Sequence, residues 1–252
     1  MELQRIGDKI WVYVFEDNIV ITALINNHRA ILIDAGFDGH AKKIKENLKV
    51  EGIIVETIIF THYHPDHVAG SNAFEDVQLM CNRKYEHNYE FFVKNYGNEL
   101  NLKKPTKVFG DDESMTLNGF NLKFRDAPGH SDCGSIIVIG DEVINVGDLV
   151  MQGLNDKPAL PCVNYDGSVS GHIRSLELII ELDPNALIMG HGRPFIGKDL
   201  IQDEVSKRLS YLKKIVATNG EAKLEECLVE DKDNWELHQA HESNIAMYKE
   251  RS

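Results

Sequence analysis

The feature that most constrains this chain is a cluster of three histidines and one aspartate within six residues. They lie in the run Thr61-His62-Tyr63-His64-Pro65-Asp66-His67. The preceding residues, 53–60, are almost continuously apolar, as in a strand buried on both faces. On extended backbone, side chains two positions apart point the same way, so His62 and His64 can bind one ion together, and Pro65 favours a turn after them. Imidazole and carboxylate are ligand types that divalent Zn, Mn and Fe accept, so the run predicts a metal site.

Three further metal-capable side chains follow other predicted strands, each beside a glycine. His130 follows the strand at 120–125, Asp148 ends the strand at 143–146, and His191 ends the strand at 186–189. Glycine lets backbone approach closely at such positions. Because all of these side chains fall at strand ends, the sequence predicts that they join the histidine cluster at one site.

The remaining pattern alternates strands with helices. Further strands are predicted at 10–15, 19–25, 30–33, 77–81 and 135–139, and helices at 39–49, 83–95, 172–182, 199–217 and 234–249. This order is typical of an α/β or α+β fold with helices covering sheets. We expect a single domain over residues 1–252, in which residues 198–252 form a helical C-terminal extension.

With these motifs on one chain, the sequence resembles the metallo-β-lactamase fold superfamily, which includes glyoxalase II. The resemblance runs from residue 34 to residue 191 and includes Asp34 in the segment Ile33-Asp34-Ala35-Gly36. It implies a four-layer αβ/βα sandwich with two divalent ions at one edge, zinc being the first expectation and manganese or iron the alternatives. It also implies that His62, His64 and His130 hold the first ion, that Asp66, His67 and His191 hold the second, that Asp148 bridges them, and that Asp34 sits behind the ligands.

An aspartate at position 148 resembles the glyoxalase II and lactonase side of the superfamily, since lactamases of this fold usually have cysteine or serine there. The first hypothesis is a dinuclear hydrolase in which a metal-bridging hydroxide attacks an ester, thioester or lactone carbonyl. Asp66 would orient that nucleophile and pass a proton to the leaving group. Lactonases carry a tyrosine soon after the bridging aspartate; this chain does not, and Tyr165 is the candidate to replace it near the substrate.

Other functions remain open at this point. A mononuclear iron enzyme resembling persulfide dioxygenases would use His62, His130 and Asp148, with His64 as a bystander. A lactamase, a phosphodiesterase or a non-catalytic binding protein on the same fold are further alternatives. Two residues near the motifs are expected to have no part in the site: Cys133 as a structural thiol, and His172 at a solvated helix start.

The composition of the chain limits the kinds of partner that it is expected to bind. Forty acidic residues against 27 basic ones give a formal net charge of -13, which disfavours nucleic acid and leaves a small-molecule substrate as the expectation. No signal peptide or membrane-length apolar run is recognised, and four cysteines without close pairing suit a reducing interior, so we expect a cytoplasmic protein. The sequence does not indicate the oligomeric state.

Overall fold

The computed structural model describes residues 1–251, which form two β-sheets and seven α-helices. The strands are β1 (Glu2–Ile6), β2 (Ile10–Val14), β3 (Val20–Asn26), β4 (Arg29–Ile33), β5 (Ile54–Ile59), β6 (Gln78–Asn82), β7 (Lys107–Phe109), β8 (Ser114–Leu117), β9 (Phe120–Asp126), β10 (Ser135–Ile139), β11 (Val143–Asn145), β12 (Ala186–Ile188) and β13 (Phe195–Ile196). The helices are α1 (Asp38–Val50), α2 (Pro65–Val68), α3 (Glu86–Leu100), α4 (Val169–Leu182), α5 (Lys198–Ala217), α6 (Leu224–Cys227) and α7 (Ala240–Arg251). Short 3-10 helices cover Ala69–Ala73, Gly147–Leu149 and Lys232–Asn234.

Each half of the chain builds one sheet. The first has the order β1-β2-β3-β4-β5-β6-β7, antiparallel from β1 to β4 and parallel from β4 to β7. The second has the order β13-β12-β11-β10-β9-β8, and only its β11–β12 pair is parallel. The parallel pairs bring the carboxyl ends of several strands to the same edge, where polar side chains that follow them can meet.

Three apolar layers hold the sheets and helices together. The middle layer lies between the sheets, with Val12 and Ile31 from the first packed with Phe124 and Ile137 from the second. A second layer lies between the first sheet and α1, where Ile44 is fully buried. A third lies between the second sheet and helices α4, α5 and α7. The result is the four-layer αβ/βα arrangement predicted from the sequence, with the helices after residue 198 packed against its second sheet.

Main-chain hydrogen bonds join the two sheets beside the histidine run. The amide of Ser135, in the second sheet, donates to the carbonyl of Thr61 at 2.9 Å, and the amide of Val20 donates to the carbonyl of Gly190 at 2.9 Å. An isolated bridge also pairs Ile19 with His191. These contacts fix the segment after β5 against β10 and the segment after β12 against β3, which brings the side chains of both segments to one edge.

Some elements differ from the prediction. Strands β1, β7, β8 and β13 were not predicted, because they are short or carry polar, exposed residues at the ends of the sheets. The predicted helix at 234–249 begins only at Ala240, since the preceding segment pairs through Glu236 with Ala159. No helix within residues 1–251 is both long enough and apolar enough to span a bilayer.

Candidate metal centre

The backbone after β5 explains how the histidine run spreads its side chains. His64 has extended dihedral angles (φ -100°, ψ 151°) and caps the short helix α2, whose first residue is Pro65. Proline suits this first helical position because its missing N–H would have no partner there. His64 therefore lies on extended backbone, His62 lies in the bend just before it, and Asp66 and His67 fall in the helical turn that follows. The change of backbone directs the two pairs of side chains to neighbouring points.

Three imidazoles converge on the first of these points, which we call site A (His62, His64 and His130). The Nδ1 atom of His64 lies 3.0 Å from Nε2 of His62 and 3.1 Å from Nε2 of His130. All three side chains are buried. Three nitrogens bound to one tetrahedral zinc ion would lie about 3.3 Å apart, so the observed spacing fits a shared ion. His130 follows β9, as the sequence predicted.

The second point, site B (Asp66, His67, Asp148 and His191), combines two carboxylates with two imidazoles. Nε2 of His191 lies 3.2 Å from Oδ2 of Asp66 and 3.4 Å from Oδ2 of Asp148. Nε2 of His67 lies 3.4 Å from the other oxygen, Oδ1, of Asp148. Oδ2 of Asp148 is also 3.4 Å from Nε2 of His130, a member of site A. Asp148 thus lies between the two sites, where the resemblance placed a bridging ligand.

Unpartnered atoms provide a test of whether these residues fit metal ions. Among the described residues, the buried Nε2 of His67 and Oδ1 of Asp148 have no hydrogen-bond partner, although both point into site B. A buried polar atom without a partner is costly, and such atoms are rare in native structures. Divalent cations bound to these nitrogen and oxygen atoms would satisfy them, so the donor set fits the ions that the fold implies.

The two sites differ in their electrostatics. At site A, burial, followed by the neighbouring imidazoles, holds the pKa of His62 well below its usual value. Burial likewise lowers the pKa of His130 to about 4. At site B, burial would lower the pKa of His191, but Asp148 and Asp66 outweigh it and raise the pKa to about 10. The pKa of His67 is raised well above its usual value because Asp148, Asp66 and Asp34 overcome the same cost of burial. Without metal, burial therefore favours the neutral form of His62 and His130, whereas the nearby carboxylates favour the protonated form of His67 and His191.

Asp34 lies behind the cluster, in the position that the family resemblance implied. Its Oδ2 accepts from Nδ1 of His67 at 2.9 Å and from the hydroxyl of Thr61 at 2.9 Å, and its Oδ1 accepts from the amide of Thr61 at 2.8 Å. A carboxylate on the outer nitrogen of a histidine fixes the ring and its tautomer, leaving the other nitrogen free for a metal. Asp34 is therefore placed to orient His67.

The prediction for His172 is wrong. This residue is fully buried in the first turn of α4, and its Nε2 donates to the carbonyl of Leu149 at 2.8 Å, directly after Asp148. It anchors the segment that carries Asp148. The cause is the packing of α4 over the second sheet, and the sequence pattern had no signal for it beyond the apolar residues that follow on the same helix.

Two other residues near the motifs have defined partners. The ring of Tyr165 stacks on Phe91 at 4.2 Å between centroids, and its hydroxyl donates to Oδ1 of Asn88. That hydroxyl therefore has a protein partner, and a contact of Tyr165 with substrate stays a prediction. Cys133 is buried, and its sulfur accepts from the amide of Tyr63 at 3.3 Å, which agrees with a structural thiol.

Comparison with known proteins identifies relatives of the chain. A family model described as the metallo-beta-lactamase superfamily matches residues 14–191. The beta-lactamase-like protein 2 homolog of Drosophila melanogaster is 22% identical over 199 residues, which are 73% of this chain and 60% of that protein. A hydroxyacylglutathione hydrolase of Klebsiella pneumoniae is 25% identical over 144 residues, 57% of this chain and 51% of the relative. The chain thus matches only about half to three fifths of these relatives' lengths.

Solved structures share the fold at low sequence identity. A stereoselective inverting sec-alkylsulfatase from Pseudomonas sp. aligns over 99% of this chain and 50% of its own, with a TM-score of 0.76 and 13% identity. A metallo-beta-lactamase from Pontibacter korlensis aligns over 82% of this chain and 98% of its own, with a TM-score of 0.66 and 16% identity. These likenesses establish the architecture, and substrate has to be argued from the site.

Proposed function

Because this chain belongs to the metallo-beta-lactamase superfamily, we propose that it is a metal-dependent hydrolase acting on the carbonyl of an ester, thioester or lactone. The observation that carries the proposal is the pair of sites A and B, joined by the buried carboxylate of Asp148. An aspartate at this position, and relatives that include a hydroxyacylglutathione hydrolase, favour ester, thioester or lactone substrates over lactams.

Each site would provide the ligands of one ion. His62, His64 and His130 would hold the first ion and Asp66, His67 and His191 the second, with Asp148 contributing to both. Nitrogen and oxygen ligands without sulfur suit zinc first, with manganese or iron as alternatives. Two such ions supply an activated water and polarise the carbonyl oxygen of the substrate.

Access to the site is from the side of site B. The side chains of Asp66 and His191 are 28% and 21% exposed, whereas those of the other ligands are nearly inaccessible. Burial would raise the pKa of Asp66, but His67 and His191 outweigh it and keep the pKa well below its usual range, so the carboxylate is ionised. Oδ2 of Asp66 faces His191, and Oδ1 is available to orient water and to carry its proton to the leaving group.

The position of His64 favours this proposal over a mononuclear oxygenase. In the oxygenase hypothesis His64 is a bystander, yet its Nδ1 lies as close to the ligand atoms of His62 and His130 as a shared ion requires. A hydrolase with two occupied sites uses this third imidazole. An oxygenase with one ion gives no reason for burying it there.

The test is a screen of the purified chain after metal removal and reconstitution with Zn, Mn or Fe. Substrates are a set of esters, thioesters and lactones, together with a phosphodiester, a chromogenic lactam and glutathione persulfide with oxygen uptake as the readout. We expect hydrolysis of at least one carbonyl class, its loss in His64→Ala, and its retention in His28→Asn. His28 is an exposed turn residue with positive φ, a conformation that asparagine tolerates. Oxygen uptake without hydrolysis, or metal-loaded protein inactive on every carbonyl substrate, would overturn the proposal.

A further inference from the structure

Most of the clustered histidines direct Nε2 into the site and Nδ1 away from it, and His64 is the exception. Nδ1 of His67 donates to Asp34 at 2.9 Å, and Nδ1 of His130 donates to the carbonyl of Cys162 at 2.8 Å. His64 is turned the other way: its Nδ1 points into site A, and its outer nitrogen is Nε2. That Nε2 is buried and has no hydrogen-bond partner among the described residues. The acceptor facing it is Oδ1 of Asp166, 3.7 Å away.

Asp166 is held so that this one oxygen stays free. Its Oδ2 accepts from the hydroxyl of Ser131 at 2.5 Å, from Nδ2 of Asn88 at 2.7 Å and from the amide of Asp132 at 3.2 Å. Three donors on Oδ2 fix the orientation of the carboxyl group. Oδ1 is buried and, like Nε2 of His64, has no hydrogen-bond partner within the part of the chain that the structure describes. Two buried polar atoms therefore face each other, one a donor and the other an acceptor.

The ring of His64 has little freedom to find another partner. The ring of Phe92 packs edge-on against it at 5.5 Å between centroids, and His62 and His130 pack against it at 4.4 and 4.9 Å. A metal ion on Nδ1 requires the lone pair of that nitrogen, which leaves the proton on Nε2. The resulting N–H is buried and needs an acceptor.

From this geometry we infer that Asp166 is a positioning residue for the metal site: its Oδ1 accepts a hydrogen bond from Nε2–H of His64 and fixes the tautomer that exposes Nδ1. This inference rests on the metal site of the proposed function. The gap of 3.7 Å closes to hydrogen-bond length by a shift of less than about 1 Å. Asp166 thereby does for His64 at site A what Asp34 does for His67 at site B.

The segment that carries Asp166 is tied to the end of the last helix. The guanidinium group of Arg251, in α7, donates to the carbonyl oxygens of Tyr165, Asp166 and Gly167, at 2.6, 3.1 and 2.6 Å. Three main-chain acceptors on one side chain hold the loop in place. The C-terminal helix thus contributes to the position of a carboxylate that supports site A.

The first experiment measures zinc affinity by competition with a chromophoric chelator. Asp166→Asn keeps the shape of the side chain but removes its charge. The amide has a single acceptor oxygen, so its NH2 group must face either the three donors or Nε2–H of His64. Loss of such a supporting partner weakens metal binding by about 10–100-fold, and we expect this for one of the two zinc equivalents. The control is Asp76→Asn, which removes an exposed carboxylate at a position whose positive φ asparagine tolerates, and we expect wild-type affinity.

The second experiment has its main readout on the wild-type protein, so it remains decisive even if Asp166→Asn does not fold. In the zinc-loaded wild-type protein, nitrogen-15 NMR of the histidine rings should show His64 protonated on Nε2, with a downfield proton resonance that exchanges slowly with water. The zinc-loaded Asp166→Asn protein should show that proton shifted upfield or exchanging rapidly.

The outcomes separate this inference from the proposed function. If the wild-type chain binds no metal, both the proposed function and the role of Asp166 are refuted. If the wild type binds zinc, but Asp166→Asn binds it equally tightly or His64 carries its proton on Nδ1, the role of Asp166 alone is refuted.

Discussion

Gly190→Ala is the sharpest steric test of the geometry at site B. Gly190 lies between β12 and His191, and its backbone is fixed on both sides. Its amide donates to Gly147 at 2.8 Å and its carbonyl accepts from Val20 at 2.9 Å. Its φ is not in the left-handed region, so alanine suits the backbone itself. The substitution therefore acts only through the added methyl group.

The consequence follows from where that methyl group would lie. A Cβ atom at Gly190 would be 2.2 Å from Oδ1 of Asp148 and 2.7 Å from Cε1 of His67. Ordinary contact begins near 3.4 Å, so the carboxylate must move by about 1.2 Å. Misplacing a reacting group by about 1 Å can reduce a rate about 100-fold. We expect hydrolysis to fall by about that factor and the affinity of site B for metal to fall about 10–100-fold.

The assay compares Gly190→Ala with Gly39→Ala by zinc titration and by steady-state hydrolysis of whichever carbonyl substrate the wild type cleaves. Gly39 lies in α1, and a methyl group there would meet nothing within 4 Å, so its substitution should leave both measurements unchanged. Circular dichroism and thermal unfolding establish that both variants are folded. Wild-type zinc binding and wild-type rate in Gly190→Ala would refute the close approach of Asp148 to this backbone.

Three other predictions follow from the same structure. The raised pKa values of His67 and His191 mean that both carry protons at pH 7 without metal, so loading site B should release up to about two protons. Calorimetry in buffers of different ionisation enthalpy should show this, and the affinity of site B for zinc should rise with pH up to about 10. Asp34→Asn tolerates the positive φ but removes the carboxylate behind His67, so one zinc equivalent should bind about 10–100-fold more weakly in chelator competition. Arg208→Ala removes a fully buried cation of α5 from its carboxylate partner, and urea denaturation should show a loss of about 3 kcal/mol in the free energy of unfolding, whereas Lys213→Ala, at an exposed ion pair, should cost less than about 1 kcal/mol.

Local backbone rules explain why much of the site could be predicted from the sequence. The change of direction at Asp66 was predictable because Pro65 begins a helix directly after the extended backbone of His64. His191 could be assigned to the site because it follows the buried strand β12, whose carboxyl end lies at the edge of the sheet where the other ligands gather. Such features are encoded within a few residues and survive in any fold that pairs the strands in parallel.

Other parts depend on residues far apart in the chain, and no local pattern could indicate them. The sequence predicts that His172 lies at an exposed helix start. In the structure, α4 packs so that the ring of His172 reaches the carbonyl of Leu149. Asp166 belongs to no motif, and only the folded chain brings it to His64 across about 100 positions. Short strands such as β13, two residues long, exist only because a neighbouring strand pairs with them.

The most direct test of the central claim is a titration of the metal-free chain with zinc in which bound metal and hydrolysis rate are measured on the same samples. Sites A and B with Asp148 between them predict two ions per chain and a rate that reaches its maximum only as the second equivalent is bound. A maximum at one equivalent, or protein that binds no zinc, manganese or iron at all, would contradict the account.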